Sequence, residues 1–323
     1  MPNSERDDRP GTGAGTLSGS DVARHPAVGG CCPLAARRYG GRRMLTLCLG
    51  EALVDLVCEQ PVATLADAGG FVPRLGGAVA LLAVAAARRG APTAMACTVG
   101  EDAWGGWLRA RLESEGVDLA WVTTTDAPTP VSFVTVTPGG QRSAVRYGGA
   151  PRGVADGLGD AVQAAAALVL SSETLVDEDD RERTLEVRER ALAAGRPVIL
   201  HPDLQPAHWR STSAAVEVLG ACVPGAFLVS CTEHEARALT GERDVEAATA
   251  SLRAAGAGHV VVRLDAGGAL LRGGVDREVA GPVPGPDGGA ALTGVLLAAL
   301  VRTGFYPAAL AAMLPDAAQA AAA

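Results

Sequence analysis

Residues 283–301, VPGPDGGAALTGVLLAALV, join a glycine-containing turn to the start of an apolar helix. The first N–H groups of a helix lack partners within the helix and point outward, so proteins often hold phosphate at such a start. Asp287 precedes the pair Gly288 and Gly289, and no acid follows the glycines within this stretch. The pattern predicts an anion hole at the two glycines. It leaves open whether a group that can move a proton stands beside them.

The residue inventory excludes several kinds of chemistry. All 28 basic residues are arginine, so a phosphate-loop lysine, a Schiff-base lysine and a lysine general base are absent. The seven cysteines form no CxxC pair, and the histidines at 201, 208, 234 and 259 lack the H-E-x-x-H spacing. We therefore expect no metal site built from these residues.

Length and charge narrow the class of protein. The 323 residues, 48% of them hydrophobic, allow a sizeable core in one large α/β domain or two modest ones. A net charge of -8 without a basic stripe argues against a nucleic-acid partner. No apolar run approaches the roughly 18 residues of a membrane span, and unclustered cysteines suit a reducing compartment. We expect a cytoplasmic protein.

Strand-like and helix-like segments alternate along the chain from Met44 onward. This alternation predicts an α/β fold with a mostly parallel sheet covered by helices on both faces. Two alternating runs around PGGQ predict a hairpin, which we assign to a small β lid formed by about 52–75 and about 120–150. Residues 1–43 lack periodicity, so we expect a disordered extension followed by one domain over 44–323.

Several segments resemble the ribokinase/PfkB family of carbohydrate kinases, in the order that the family has them. GEALVDLV resembles the first-strand signature, GGAVALLAVAAARRGA the first motif and TVGEDAWGGWLRARLESEGVD the next block. HPDLQPAHW and VSCTEHEARALTG are similar to later blocks, the first of them to bacterial fructokinase-like members. VPGPDGGAALTGVLLAAL falls where the family has Asp-Thr-Thr-Gly-Ala-Gly-Asp-Ala-Phe.

The resemblance implies a ribokinase-like three-layer sandwich with a mostly parallel central sheet and a β lid. It also implies ATP and Mg²⁺ as cofactors and a small-molecule sugar as substrate. Sugar binding falls to Asp55, Gly76 and Gly77, although from the residues alone Asp55 is equally well a loop acid satisfied by backbone amides.

On the nucleotide and magnesium side, the resemblance points to Glu235 and Arg263. Each has a plainer interpretation. Glu235 is more typical of an acid in the first turn of a helix. Arg263 is more typical of a surface ion pair, with Asp265 as its partner.

The family's catalytic base falls on Ala290, which cannot accept a proton. Asp287, one helical turn earlier, is a possible substitute, but a carboxylate before a helix is more typical of an N-cap. Other family positions have changed as well, since Leu81 and Thr232 stand where the family has asparagine.

Two functions from different classes follow. One is an ATP-dependent sugar kinase of the fructokinase or ribokinase type, whose activity we expect to be weak or lost because the base is missing. The other is a non-catalytic sugar-binding or interaction protein on the same fold. The family also allows a homodimer formed through the lid.

Overall fold

A computed structural model describes residues 38–39, 42–43, 45–148, 154–285 and 287–322. Strands β1 (Arg38–Tyr39) and β2 (Arg42–Arg43) pair in the antiparallel direction. The rest of the extension that we predict to be disordered, up to residue 43, lies outside the described residues.

The central sheet contains nine of the described strands, in the order β15-β14-β13-β12-β11-β10-β3-β6-β7. Every pairing from β13 to β7 is parallel, and only β13–β14 and β14–β15 are antiparallel. The mostly parallel sheet predicted from the alternating segments is confirmed. Its strands are β3 (Thr46–Leu49), β6 (Thr93–Gly100), β7 (Asp118–Thr125), β10 (Ala167–Leu170), β11 (Val198–Leu200), β12 (Leu228–Thr232), β13 (His259–Arg263), β14 (Ala269–Arg272) and β15 (Arg277–Val279).

Helices cover both faces of this sheet, because its inner strands are apolar on both sides. On β3, Cys48 packs into one core, whereas Leu47 and Leu49 pack into the other. The first core also takes side chains from α1 (Ala78–Ala87), α2 (Ala103–Ser114), α8 (Gly288–Thr303) and α9 (Ala308–Ala320). The second takes side chains from α3 (Leu158–Ala164), α4 (Glu178–Ala193), α5 (Thr212–Ala221), α6 (Glu233–Thr240) and α7 (Val245–Ala254).

A separate four-stranded sheet forms the lid, with strand order β5-β4-β8-β9. Its strands are β4 (Leu53–Cys58), β5 (Phe71–Gly76), β8 (Val131–Val136) and β9 (Arg142–Tyr147). The last two form the hairpin predicted around PGGQ. The second lid segment begins later than the predicted residue 120, because residues 118–125 extend the main sheet as its edge strand β7.

Helix α8 is buried along most of its length and packs closely against α1. A Cβ added at Gly294 would lie 2.6 Å from the Cβ atom of Ala85 and 2.9 Å from the carbonyl oxygen of Leu82. Ordinary side chains do not fit at such distances, so Gly294 permits the close approach of the two helices.

We therefore predict that Gly294→Ala destabilises the protein by about 1–3 kcal/mol through overpacking. The matched control is Gly106→Ala in α2, where an added Cβ would meet no heavy atom within 4 Å. That variant is expected to gain up to about 1 kcal/mol, because alanine favours the helix more than glycine does. Urea unfolding of both variants measures the difference. A Gly294→Ala protein as stable as the parent would contradict this account of the helix contact.

Candidate functional site

A cleft of about 470 Å³ opens between the lid sheet and the carboxyl ends of the central parallel strands. This is the edge at which open α/β sheets place their ligands. The cleft brings together seven of the residues singled out from the sequence, which are Asp55, Gly77, Glu235, Arg263, Asp287, Gly289 and Ala290. Gly76 and Gly288 are the chain neighbours of two of them.

Asp55 lies on the lid strand β4, opposite Ser132 of β8. Burial raises the pKa of its carboxyl group. The Arg142 guanidinium counters that effect, the Asp287 carboxylate adds to it, and a hydrogen bond with Ser132 opposes it. Asp55 is therefore a cleft carboxylate with charged neighbours, which argues against the interpretation as a loop acid bound by backbone amides.

The glycine pair between β5 and α1 is required by space and by backbone conformation. A Cβ at Gly76 would lie 2.5 Å from the Leu53 Cδ1 atom and 2.8 Å from the Asp55 Cγ atom. Gly77 has φ +94° and would press a side chain into the carbonyl oxygen of Glu51. The two glycines therefore allow the lid strand β5 to pass directly into α1 beside Asp55.

Asp287 occupies the N-cap position of α8, but its side chain makes no capping hydrogen bond. Its Oδ1 atom lies 3.6 Å from Nη1 of Arg142, and Nη2 of the same guanidinium lies 3.4 Å from Oδ2 of Asp55. Asp287 therefore stands at the predicted N-cap position, but the capping hydrogen bond expected there is absent. The described ion-pair partner of its carboxylate is Arg142 of the lid.

The first turn of α8 presents Gly289 and Ala290 to the cleft, and Ala290 is buried. A Cβ at Gly288 would collide with the Ala321 carbonyl oxygen and lie 2.9 Å from the nearer Arg263 nitrogen. The glycines therefore allow both the chain's C-terminal segment and a guanidinium to approach the start of the helix.

Arg263 ends strand β13 and donates a hydrogen bond of 3.2 Å to the carbonyl oxygen of Gly285. Burial lowers the pKa of its guanidinium, and nearby Glu235, Asp265 and Asp203 act in the opposite direction. Arg263 is thus a cleft residue directed at the turn before α8. The surface ion pair with Asp265 is the poorer description.

Glu235 is held by structural hydrogen bonds. Its Oε2 atom accepts from the backbone N–H of Thr232 at 2.8 Å and from the Thr232 hydroxyl at 3.0 Å. Its Oε1 atom accepts from the Leu204 N–H at 2.8 Å. Oε2 therefore belongs to a capping box at the start of α6, and Oε1 holds the backbone of Leu204. This favours the interpretation as a first-turn acid.

A buried ion pair in the cleft was not predicted from the sequence. Arg146 of β9 forms a bidentate pair with Glu51, with 2.8 Å between Nη1 and Oε2. Arg142 and Arg146 are four residues apart on one strand, so they share a face with Ala144, and all three line the cleft. That spacing was the available signal, but only the lid topology shows which acids the arginines meet.

A second group missed from the sequence is the carboxyl pair Glu173 and Asp203. The two side chains are hydrogen-bonded to each other, and the Ser171 hydroxyl donates to Glu173. Burial and the neighbouring Asp203 charge raise the pKa of Glu173 well above its ordinary value, whereas Arg146 acts against this. Asp203 has φ +43°, a left-handed conformation that asparagine and aspartate tolerate better than most other side chains do.

The residues present fit a phosphate better than a protein-held metal ion. Gly289 and the Arg263 guanidinium leave a side-chain-free, positively charged surface at the start of α8. Within the described ranges, no three His, Cys, Asp or Glu side chains are grouped closely enough to hold a metal ion. Nor is any helix in those ranges both long and apolar enough to span a membrane.

Comparison with known families identifies the chain. Residues 44–287 match the pfkB family carbohydrate kinases, and this region is more than half of the chain. The protein therefore belongs to that family. The matched region ends at Asp287, immediately before the glycine pair of α8.

Individual relatives agree with this assignment. Fructokinase-1 of Oryza sativa subsp. japonica is 32% identical over 211 residues, which cover 64% of this chain and 65% of the rice protein. The chain thus matches less than two thirds of that relative's length.

Solved structures confirm the ribokinase-like sandwich. A PfkB protein from Polaromonas sp. JS666 superposes with a TM-score of 0.75 at 26% identity, over 86% of this chain and 93% of that one. A fructokinase with bound ATP from Xylella fastidiosa gives 0.70 at 25% identity, over 85% and 89%.

The Glu173–Asp203 pair predicts a pH dependence of stability. Because the folded state raises the pKa of Glu173, the folded protein binds more protons than the unfolded chain above pH 4.5. The free energy of unfolding should therefore fall as pH rises from 4.5 toward the raised pKa. Glu173→Gln cannot ionise, so it should flatten this fall and be more stable than the parent at about pH 8.

Urea unfolding at several pH values tests this, with the exposed Glu113→Gln in α2 as the control. If the free energy of unfolding changed with pH in the same way for the parent and Glu173→Gln, Glu173 would not be the group responsible for the pH dependence.

Proposed function

We propose that this chain binds a sugar in the cleft beneath its lid and transfers phosphoryl groups from ATP far more slowly than an intact family kinase, or not at all. The observation that carries the proposal is the buried methyl group of Ala290 in the first turn of α8. Transfer to an alcohol needs a group that accepts the hydroxyl proton, and a methyl group cannot do so.

The sugar half of the site supports the binding part of the proposal. Asp55 faces the cleft from the lid, and Gly76 beside it leaves the space that its carboxyl group occupies. A carboxylate accepts hydrogen bonds from sugar hydroxyls. The name of the rice relative makes fructose the first sugar to test.

The nucleotide half is compatible with phosphate but altered. ATP, when bound, would supply the transferred phosphoryl group, and Mg²⁺ would be held chiefly by the phosphates and water. Arg263 and the amides beside Gly289 would face that phosphate end. The oxygens of Glu235 are already engaged by Thr232 and Leu204, so they are poorly placed to orient metal-bound water.

A second candidate is an active kinase that uses Asp287 as its base. Its support is the side chain itself, which lines the cleft, makes no cap and is about half exposed. Against it stands Arg142, whose guanidinium lies 3.6 Å from Oδ1 of Asp287 and so already occupies an acceptor side of this carboxylate.

The decisive variant is Ala290→Asp, which restores a carboxylate at the family's base position. We expect the parent chain to release ADP slowly or not at all with fructose and other hexoses and pentoses. Ala290→Asp should raise the rate by about 10² to 10⁴, the usual contribution of a general base. Ala290→Asn is the matched control, because it has nearly the same shape and cannot accept the proton.

A coupled ADP-release assay measures all three proteins. Rapid turnover by the parent would refute the loss of transfer. Asp287→Asn would then decide between bases, since it should abolish that turnover only if Asp287 is the proton acceptor.

We also propose a cytoplasmic homodimer formed through the outer face of the lid. Phe71, Phe133 and Tyr147 form edge-to-face contacts there with centroids 5.0 and 5.4 Å apart. Tyr147 is 54% exposed and Val145 is 41% exposed, so this apolar face is left uncovered in the single chain.

Val145→Glu is therefore expected to shift the protein toward monomer in sedimentation velocity, because a charge would be buried at the interface. Gln141→Glu, in the exposed turn between β8 and β9, adds the same charge away from this face. A parent chain that sediments as a monomer at every concentration would refute the dimer.

A further inference from the structure

Two arginines of β9 meet the sugar side of the cleft in different ways. Arg146 is close and bidentate with Glu51, and both side chains are at least four-fifths buried. Arg142 makes longer contacts of 3.4 Å with Asp55 and 3.6 Å with Asp287, and its side chain is 35% exposed. The first pair is a fixed part of the fold, whereas the second is a loose contact at the mouth of the cleft.

Arg142 contacts two carboxylates of the cleft, and one of them belongs to the sugar side of the site. Asp55 is the carboxylate that the proposed function assigns to sugar hydroxyls, and Arg142 donates to its Oδ2 atom. A guanidinium N–H and a sugar O–H are both donors, so they seek the same acceptor positions on a carboxylate. With one hydrogen bond made to Ser132 and one to Arg142, about half of the roughly four acceptor positions of Asp55 are taken.

We propose that Arg142 is an internal competitor for the sugar site, so that a sugar must displace its guanidinium from Asp55 in order to bind. This inference rests on the proposed sugar-binding function. Arg142 thereby sets the affinity of the site without itself being a sugar ligand.

Asp287 makes the displacement feasible. A guanidinium removed from its only carboxylate inside a cleft would be left without charge compensation, which is costly. Arg142 has a second carboxylate, and the Asp287 side chain is 54% exposed and free to follow it. Asp287 thus gives the lid arginine an alternative partner.

The proposal predicts an unusual effect of salt. Salt weakens a partly exposed ion pair, but it has little effect on the hydrogen bonds of a neutral sugar. Sugar binding to the parent chain should therefore tighten as ionic strength rises. This dependence on salt should disappear when Arg142 is replaced by an uncharged residue.

Isothermal titration calorimetry of the full chain with D-fructose, D-ribose and D-glucose tests both points. Arg142→Gln should lower the Kd by about two- to fivefold, as expected from the removal of a partly exposed ion pair. A tenfold rise in NaCl, which shortens the Debye length about threefold, should tighten binding to the parent but not to this variant. Arg142→Lys keeps the charge and should retain the salt response.

Arg74→Gln is the matched control. Arg74 lies opposite Asp55 on β5 and therefore on the same face of the lid sheet, yet the described salt bridges of the lid do not include it. It should bind sugar as the parent does.

The outcomes separate the two proposals. Binding by the parent that is unchanged or weaker in Arg142→Gln would overturn the competitor role and leave sugar binding intact. Binding by Arg142→Gln alone would support it strongly. Binding by neither protein would overturn both.

Discussion

Parallel hydrogen bonding between β3, β10, β11, β12 and β13 forces the carboxyl ends of five strands onto one edge of the sheet. Everything at the cleft depends on this constraint. The residues that follow or end these strands there are Glu51, Glu173, His201, Thr232 and Arg263. None of these side chains is close to another in sequence, and only the strand order makes them neighbours. The lid then needs only to cover one edge in order to enclose them.

Strand and helix alternation was enough to predict the sheet, the helices and the lid hairpin, because burial on two faces leaves a strong periodic signal in each segment. The motifs located Asp55, the glycine pair and the start of α8 for the same local reason. The ion pair of Glu51 with Arg146 joins residues 95 positions apart, so no local pattern could reveal it. The N-cap position of Asp287 could be predicted from its place before the helix, but its contact with a lid arginine could not, because the sequence does not show where that arginine lies.

The cleft is rich in charge, yet its charges are largely matched. Six carboxyl groups and three guanidinium groups line it, namely Glu51, Asp55, Glu173, Asp203, Glu235, Asp287, Arg142, Arg146 and Arg263. Buried charges persist only when they are paired or hydrogen-bonded. Here Glu51 pairs with Arg146, and Arg142 contacts two carboxylates. Glu235 is held in its capping box, and Glu173 is hydrogen-bonded to Asp203. Under the proposed function, the side of the cleft around Asp55 suits a neutral, hydroxyl-rich ligand, whereas Arg263 at the start of α8 leaves a positive surface for phosphate.

The glycine contact that holds α8 against α1 lies apart from the residues that line the cleft. Gly294 lies more than a helical turn beyond Ala290 and fixes the helix by backbone contact with Leu82. The placement of the helix therefore depends more on this distant contact than on the residue at position 290, which faces the cleft. A lineage can lose or regain reactivity at position 290 without rebuilding the domain, whereas Gly288 has to remain a glycine because the Ala321 carbonyl oxygen lies against it.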